Sequence, residues 1–410
     1  MNNKKIVFVG LYDEKNFGDP IIAHCTEWLY LREIKSDVDV VRLSLDYVEK
    51  KRSSLFYRTT RKLKKITGHD SSRNDEIIKQ YKSYYLKNIK DANLIVVVGG
   101  GLIKYSCQFF YAGLSSLLDA AEKYHIPVAF NSVGIEGYDA TNPKCLKLKE
   151  TLQKKALCNI TTRDDILTLI DGYFDGHPTV QCKKVADPAV WAKEAYEIEK
   201  KESRTVGIGI GRGGLFWDYG KNFTEEQFFS LYVNLIKRLI DNGTKLSLFT
   251  NGMLLDNIFA NKIQSRLLKD GISVGLNIPD SPADLVNIIA SYRCIIAARL
   301  HSCIVAYSLG IPAMGFVWND KLKLWGENIH AEEFFVDVDN LTVDFLVDKM
   351  KKLLEYKYDS IAREQFRDTV QIDISQLAKD YFSPDFESKI TLHTGGVNSF
   401  YLFSNNKMSA

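Results

Sequence analysis

Short, unbroken apolar runs alternate along this chain with longer segments in which apolar residues recur at helical spacing. In the first half, strand-like runs lie at residues 5–10, 38–44, 93–101, 127–134, 158–163 and 179–190. Residues 20–34 and 111–125, between such runs, have helical periodicity. Apolar runs without polar alternation are typical of parallel strands that helices cover on both faces. The pattern therefore predicts an α/β domain with a parallel sheet.

A second series of the same kind follows a charged, glycine-free segment. Residues 191–205 read WAKEAYEIEKKESRT, which we interpret as the connector between two domains. Strand-like runs then recur at residues 205–211, 245–252, 272–278, 294–299 and 311–316. Residues 224–227 have the spacing of a capping box, and Ser281 followed by Pro282 predicts another helix start.

The two series predict two doubly wound domains that face each other across a cleft. We place the first domain at residues 1–192 and the second at residues 204–356. Residues 357–410 are expected to add a C-terminal helix, over 361–382, and a tail without a clear pattern. Because ligands of such sheets bind at the carboxyl ends of the strands, both domains are expected to contribute loops to one crevice.

Composition narrows the class of protein. The chain has 410 residues, 45% of them apolar, and a formal net charge of +3, which does not favour nucleic acid as a partner. The apolar run at the start is too short for a signal peptide, and no run approaches the length of a membrane span. Seven scattered cysteines without a CxxC pair predict neither a disulfide framework nor a metal site. We therefore expect a cytoplasmic protein.

An arginine and a histidine lie two positions apart in AARLHSCIVAYSLGIP, residues 297–312. The segment indicates a buried strand followed by a helix that Gly310 ends. Arg299 and His301 are thus expected where the free N–H groups and the dipole of a helix favour an anion. A guanidinium can bind a carboxylate or phosphate, and an imidazole can act as acid or base near neutral pH. The alternative is an arginine in a structural salt bridge and a histidine that caps the helix.

The first strand-like run is followed by Asn16, Gly18, Asp19 and Pro20. This pattern predicts a helix start at which the backbone can approach a ligand closely. Asp19 is expected to be the helix N-cap, to contact a ligand, or to do both.

Two glycine-rich stretches also end strand-like runs. Gly99, Gly100 and Gly101 leave N–H groups free for a phosphate or a sugar, unless they only form a tight turn. Residues 207–214 are rich in glycine and contain Arg212. They do not form a dinucleotide-binding fingerprint, because no helix is predicted directly after the glycines. We interpret them as a loop at the mouth of the cleft, from which Arg212 is expected to face the ligand as a donor-binding residue.

Arg163 ends the run at residues 158–163 and points to the same crevice as Arg299. Asp164 and Asp165 follow it at a helix start, where carboxylates favour the positive end of the dipole. Asp187 precedes a proline and is interpreted as part of a turn.

Residues 50–65, KKRSSLFYRTTRKLKK, carry eight basic residues and no acidic one. We assign them to an insertion of about residues 50–75, most simply with a solvated surface. The interleaved Leu55, Phe56 and Tyr57 favour peripheral contact with an anionic inner-membrane surface as the alternative.

Together these segments resemble the polysaccharide pyruvyl transferase family. The matching segments are NFGD (16–19), VVVGGG (96–101), NSVGIEG (131–137), TTRDD (161–165), VADPA (185–189), and ARLHS followed by LGIP (298–312). They occur in the family order over about residues 5–316, roughly three quarters of the chain.

The resemblance implies two Rossmann-like domains in a GT-B-like arrangement and phosphoenolpyruvate as the donor substrate, with no cofactor. The pyruvyl group would form a ketal on a sugar of a polysaccharide or of its lipid-linked precursor. The family's R-x-H motif falls on Arg299 and His301, with Leu300 and Ser302 beside them in the donor site.

The remaining family positions fall on the other strand ends. The strand-end arginine falls on Arg163, the N-x-G-D segment on Asn16, Gly18 and Asp19, and the NSVGIEG segment begins at Asn131. Under this interpretation Arg163 and Arg299 each anchor one anionic group of the donor. His301 donates a proton to the enol or assists phosphate departure, while Asp19 accepts a hydroxyl proton. Two alternatives are a nucleotide-sugar glycosyltransferase of the same build and a non-catalytic sugar-binding member.

Overall fold

The apolar runs of the first half form one parallel sheet of seven strands. The computed structural model describes residues 4–47, 72–105 and 110–383. The strands are β1 (Lys4–Gly10), β2 (Val38–Ser44), β3 (Leu94–Val97), β4 (Gly100–Ile103), β5 (Val128–Ile135), β6 (Leu157–Thr162) and β7 (Gln181–Lys184). Their order is β2-β1-β3-β5-β6-β7, and β4 pairs with β5. The prediction of a parallel sheet is confirmed, and its strands are buried where the sequence is continuously apolar.

Helices connect these strands. They are α1 (Gly18–Glu33), α2 (Ser72–Asn88), α3 (Phe110–Tyr124) and α4 (Pro143–Leu152), followed by a π-helix over Thr168–Tyr173. The run at 179–190 was predicted too long, because β7 ends at Lys184 and a 3₁₀-helix occupies Pro188–Trp191. The basic segment 50–65 lies outside the described residues, so its contact with a membrane stays a prediction.

The second half forms another parallel sheet. Its strands are β8 (Val206–Gly209), β9 (Leu246–Phe249), β10 (Gly275–Asn277), β11 (Cys294–Ala297), β12 (Ala313–Val317) and β13 (Phe335–Asp337), in the order β10-β9-β8-β11-β12-β13. The first five confirm the sequence prediction, whereas β13 was not predicted. This strand order is that of a dinucleotide-binding Rossmann sheet.

The helices of the second half begin in the connector. They are α5 (Ala192–Ala195), α6 (Leu215–Asp218), α7 (Glu225–Asp241), α8 (Leu254–Lys269), α9 (Pro282–Ala290), α10 (Leu300–Ser308), α11 (Asp320–Asn328), α12 (Val343–Glu355) and α13 (Ser360–Phe382). The predicted capping box at Thr224 is formed, and Ser281 accepts a hydrogen bond from the N–H of Asp284. Gly310, with φ of +66°, ends α10 as expected.

The last helix joins the two halves. Near its start, Arg363 donates to the carbonyl of Tyr307 in the second domain at 3.0 Å. Near its end, the Nζ of Lys4 in β1 donates to the carbonyl of Phe382 at 2.8 Å. One apolar core accordingly runs from α1 of the first domain into the second sheet. None of the helices within the described ranges is long and apolar enough to cross a membrane.

In each parallel sheet the strand order reverses at one point, where successive strands begin to be added on the other side of the first strand. Such a point creates a crevice at the carboxyl ends of the strands. In the first sheet this point lies between β1 and β3, and in the second between β8 and β11. The segments that follow these four strands contain the predicted NFGD, GGG, Arg212 and R-x-H elements.

Candidate active site

The loops after β1 and β9 hold the two domains together at the crevice. The N–H of Phe17 donates to the carbonyl of Asn251 at 3.1 Å. Gly252 has φ of +91°, and a Cβ on it would lie 2.5 Å from the Phe17 ring and 2.7 Å from the Lys15 carbonyl. The backbone of the second domain therefore approaches the N-x-G-D segment so closely that only glycine fits.

His301 lies against the first residue of α1. A Cβ on Gly18 would be 2.3 Å from the Nδ1 of His301, so the imidazole occupies the space that a side chain would need. The residues come from different domains and are 283 positions apart in sequence. The structure thus brings together the N-x-G-D and R-x-H elements, as the sequence predicted.

The other nitrogen of the imidazole faces a buried ion pair. The Nε2 of His301 is 3.2 Å from the Nη1 of Arg163 and 3.7 Å from the Oδ2 of Asp187. Arg163 and Asp187 form a salt bridge and are only 7% and 1% exposed. Burial would raise the pKa of Asp187, but Arg163 and His301 lower it to about 2. The carboxylate is therefore ionised throughout the physiological range of pH.

Asp187 was expected only in a turn, and the structure gives it a second role. Its Oδ1 accepts a hydrogen bond from the N–H of Ala189 at 2.9 Å, which caps the 3₁₀-helix at Pro188. Its Oδ2 meanwhile holds Arg163 beside His301. The position of VADPA directly after a strand was the sequence signal that could have indicated this contact.

Asp19 lies in the first turn of α1 rather than at its N-cap. Phe17 is the N-cap and makes no side-chain cap, so the expectation that Asp19 caps the helix is wrong. A Cβ on Gly100, which has φ of +124°, would lie 3.4 Å from the Oδ1 of Asp19. Burial alone would lower the pKa of Arg163, but nearby carboxylates, including Asp19, raise it. Asp19 is therefore free of a capping role and close to both the glycine segment and Arg163.

Of the three glycines, Gly99 and Gly100 pack within the first domain and Gly101 faces the second domain. A Cβ on Gly99 would be 2.9 Å from both Ile22 of α1 and the carbonyl of Ser132. A Cβ on Gly101 would be 3.0 Å from the Nζ of Lys321, at the start of α11. This segment is therefore more than a turn, because its glycines allow α1 and a lysine of the second domain to approach the backbone.

Lys321 is a site residue that the sequence did not reveal. Its Nζ donates to the Oε1 of Glu136 across the domain boundary at 2.7 Å, and Lys104 contacts the Oε2 at 2.9 Å. Burial would raise the pKa of Glu136, but the two ammonium groups lower it below its usual value. Glu136 therefore links Lys104 of the first domain to Lys321 of the second domain beside Gly101.

The guanidinium of Arg299 was expected to be open to a ligand, but in the structure it is paired with a carboxylate. The fully buried Asp256 accepts hydrogen bonds from its Nε, at 2.9 Å, and from its Nη2. Asp256 also accepts a hydrogen bond from the backbone N–H of Arg212 at 2.9 Å. The side chain of Arg212 pairs with Asp218 instead. The structural salt bridge, which the sequence left as the alternative, is thus the arrangement found at Arg299.

The remaining predicted positions lie around this cluster. Ser302 donates to the Oδ1 of Asn251 at 2.6 Å, while Leu300 lines a narrow pocket together with Arg163. Within the described residues, the Oδ1 of Asn16, both polar side-chain atoms of Asn131, and the Nε of Arg163 are buried without hydrogen-bond partners. Buried polar atoms without partners are costly, and a bound ligand or water can satisfy them.

Two neighbouring cavities lie beside the cluster. The narrow pocket is lined by Arg163, Asp164, Asp187, Leu300, Ile304, Lys321, Leu324, Trp325, Asn328 and Phe366. A larger cavity of about 590 Å³, here named the interdomain groove, is lined by Ile135, Glu136, Gly137, Asp164, Asp165, Thr168, Tyr219, Asn319, Asp320, Lys321, Lys323, Leu324 and Glu327. The two share Asp164, Lys321 and Leu324.

The sequence span that contains most of the crevice residues matches one family model. Residues 16–320 match the model of polysaccharide pyruvyl transferase. The chain belongs to the polysaccharide pyruvyl transferase family. Membership in this family makes the protein a transferase, and the matched span contains Asp19, Arg163, Asp187, Arg299 and His301. No curated protein is significantly similar to the chain.

Solved structures agree on the fold of this family member. UDP-GlcNAc 2-epimerase from Methanocaldococcus jannaschii has a TM-score of 0.58 at 12% identity, over 91% of this chain and 99% of that one. A putative UDP-N-acetylglucosamine 2-epimerase from Listeria monocytogenes has a TM-score of 0.54 at 11% identity, over 93% and 97%. The enzyme from Neisseria meningitidis bound to UDP-GlcNAc has a TM-score of 0.52 at 13% identity, over 92% and 100%. The expected arrangement of two Rossmann-like domains of GT-B type is confirmed, and at these identities the likeness concerns the fold alone.

Proposed function

We propose that this protein transfers the pyruvyl group of phosphoenolpyruvate to two hydroxyls of a sugar, forming a ketal and releasing phosphate. The observation that carries the proposal is the contact of Arg163 with His301 at the crevice of a chain in this family. The sugar would belong to a polysaccharide or to its lipid-linked precursor.

The charges around the narrow pocket suit the donor, but the pocket itself, with a free volume of about 10 Å³, has room for no more than a water molecule. The donor would therefore bind at the mouth of this pocket, beside the residues that it shares with the interdomain groove. Phosphoenolpyruvate has a carboxylate and a phosphate on a three-carbon skeleton, so it needs at least two cationic anchors. Arg163 and Lys321 both line the pocket, and the Nε of Arg163, 4.0 Å from the Oδ1 of Asp164, makes no hydrogen bond. Leu300 and Ile304 offer apolar contact for the methylene carbon. Arg299, paired with Asp256, adds to the local field rather than serving as the second anchor that the sequence suggested.

The reaction moves two protons, from the two sugar hydroxyls to the methylene carbon and to the departing phosphate. Protonation of the methylene carbon gives a methyl group and an oxocarbenium-like centre at C2, which one sugar hydroxyl attacks. The C2–O bond to phosphate then breaks, and the second hydroxyl closes the ketal. The two protons that leave the hydroxyls balance the proton added to the methylene and the proton taken up by phosphate.

Two groups in the crevice can move these protons. The imidazole of His301, beside Arg163, would protonate the methylene or assist phosphate departure. The carboxylate of Asp19, which does not cap its helix, would accept a proton from an attacking hydroxyl. Arg163 would stabilise the charge of the departing phosphate, because Asp187 holds its guanidinium in place.

Ligand-induced stabilisation tests the donor assignment. A ligand present at a hundredfold excess over its dissociation constant stabilises the folded state by about 2.7 kcal/mol. Phosphoenolpyruvate is therefore expected to raise the melting temperature, whereas UDP-GlcNAc at the same concentration is not. The opposite result would favour a nucleotide-sugar glycosyltransferase, and no shift with either ligand would favour a non-catalytic sugar-binding protein.

A further inference from the structure

The interdomain groove differs from the narrow pocket in its charge. Five carboxylates line it, from Glu136, Asp164, Asp165, Asp320 and Glu327. Two ammonium groups, from Lys321 and Lys323, line it as well, and a third, from Lys104, contacts Glu136 at 2.9 Å and lies 5.9 Å from the centre of the Tyr219 ring. An anion entering the groove would therefore meet an excess of negative charge, whereas hydroxyl groups can donate hydrogen bonds to carboxylates.

An aromatic ring stands at one wall of the groove. Tyr219, which is 38% exposed, packs edge-on against Trp318 with ring centroids 4.7 Å apart. The indole Nε1 of Trp318 donates to the carbonyl of Ala298 at 2.5 Å, which fixes the indole and hence the tyrosine. A rigid, partly exposed aromatic face provides apolar contact area at a low cost in conformational entropy.

The groove also adjoins the narrow pocket that Arg163 lines. Asp164, Lys321 and Leu324 form a wall common to both cavities. With a volume of about 590 Å³, the groove is within the range of roughly 300–1,000 Å³ that is usual for small-molecule sites. A molecule in the groove would thus lie beside Arg163.

We infer that the interdomain groove binds the acceptor, and that the acceptor unit it takes is an uncharged sugar rather than a uronic acid. The inference rests on the proposed function, which it extends by naming the acceptor class. Sugar hydroxyls donate to the groove carboxylates, and the C–H face of the sugar ring packs on Tyr219. The charge excess disfavours a sugar that carries its own carboxylate.

Matched pairs of sugars test the charge preference. The probes are p-nitrophenyl β-glucoside against p-nitrophenyl β-glucuronide, and p-nitrophenyl β-galactoside against p-nitrophenyl β-galacturonide, each added to the full-length protein with phosphoenolpyruvate. Binding is followed by saturation-transfer NMR. At least one neutral glycoside is expected to bind, and its acidic partner to bind about tenfold more weakly. Equal binding within both pairs, or no binding by either neutral glycoside, would overturn the inference.

Variants locate the binding in the groove. Tyr219→Ala is expected to weaken the binding of the neutral glycoside about tenfold. Tyr219→Phe is expected to retain the affinity of the parent protein, because the ring supplies the contact. The double variant Asp320→Asn/Glu327→Gln removes two exposed groove carboxylates and is expected to improve glucuronide binding. The matched control is Glu226→Gln/Asp241→Asn, on the exposed face of α7, which should keep the preference unchanged. Unaltered binding in Tyr219→Ala would contradict the inference.

The same experiment separates the two proposals. If phosphoenolpyruvate stabilises the protein but neutral glycosides are not preferred, the acceptor inference fails while pyruvyl transfer stands. If Tyr219→Ala weakens glycoside binding and Tyr219→Phe retains it, but phosphoenolpyruvate does not bind, the groove is a sugar site and the proposed donor is wrong.

Discussion

The imidazole of His301 fills the space in which Gly18, the first residue of α1, would carry a side chain. A Cβ placed there would be 2.3 Å from Nδ1, well inside contact distance. The first turn of a helix in one domain is therefore shaped by a histidine of the other domain. This contact places Asp19, the next residue along α1, at the same junction.

Gly18→Ala is expected to displace His301 and to destabilise the protein by about 1–3 kcal/mol, because the added methyl overpacks a buried contact. Chemical denaturation measures the change in the free energy of unfolding. The control is the double variant Gly18→Ala/His301→Ala, in which the ring is gone. In the His301→Ala background, Gly18→Ala should lower the free energy of unfolding clearly less than in the parent, because the effects of substitutions at contacting residues are coupled. Equal costs in both backgrounds would show that the two residues do not press on each other.

Asp187→Asn is expected to lower the free energy of unfolding by about 3 kcal/mol, because it leaves the buried charge of Arg163 with only the longer contact to Asp164, at 4.0 Å. The exposed pair of Arg238 with Asp344 supplies the control, since Asp344→Asn should cost at most about 1 kcal/mol. The folded-state pKa of Asp187 is about 2, below the value of an unfolded aspartate. Its contribution is therefore present above the unfolded pKa and is lost only as pH falls toward about 2. If the two variants lowered the free energy of unfolding by similar amounts, the buried pair would contribute no more to stability than an exposed one, which would contradict the prediction.

Asp256→Asn is expected to release the guanidinium of Arg299 and to loosen the loop at Arg212, because one buried carboxylate holds both. Charge-assisted hydrogen bonds of this kind contribute about 1.5–3 kcal/mol each. Steady-state kinetics with phosphoenolpyruvate as the varied substrate should show a KM raised about tenfold with a smaller change in kcat. Arg299→Lys should show the same split, since an ammonium cannot replace the bidentate fork. A variant in which only thermal stability falls, with KM unchanged, would assign Asp256 a purely structural role.

Asp373, on α13, is expected to make stability depend on pH. Burial raises its pKa, and its contacts with Asn159 at 3.4 Å and Lys183 at 3.7 Å only partly offset this. A carboxyl group with a raised folded-state pKa favours folding in its protonated form, so stability falls as pH rises through that pKa. Asp373→Asn should remove this fall and raise the melting temperature at neutral pH. Identical pH profiles for the variant and the parent, measured by thermal melts, would contradict the prediction.

Much of the fold could be predicted because buried parallel strands are continuously apolar. The boundaries of β2 coincide with the predicted run, and α13 differs from its prediction by one residue. The three-residue strand β13 was missed because Phe335–Asp337 is too short to show a pattern. The predicted strand ends converge because all strands in each sheet are parallel.

The site was harder to predict because its contacts join distant parts of the chain. Lys321 and Glu136 are 185 residues apart, and no spacing rule relates them. Asp256 lies inside a helix without a motif of its own, so its hold on Arg299 could not be foreseen. Asp187 lies after a strand and before a proline, a pattern that a turn alone explains. The salt bridge of Asp187 with Arg163 was therefore not predicted.

The central claim is that His301 transfers a proton at a donor site that Arg163 and Lys321 form. The most direct measurement compares phosphate release from phosphoenolpyruvate with phosphoenolpyruvate binding by calorimetry, in the parent protein and in His301→Ala. The parent is expected to bind phosphoenolpyruvate and, with an acceptor sugar present, to release phosphate. His301→Ala is expected to bind it with a similar dissociation constant and to release none. Near-normal phosphate release by His301→Ala would contradict the account.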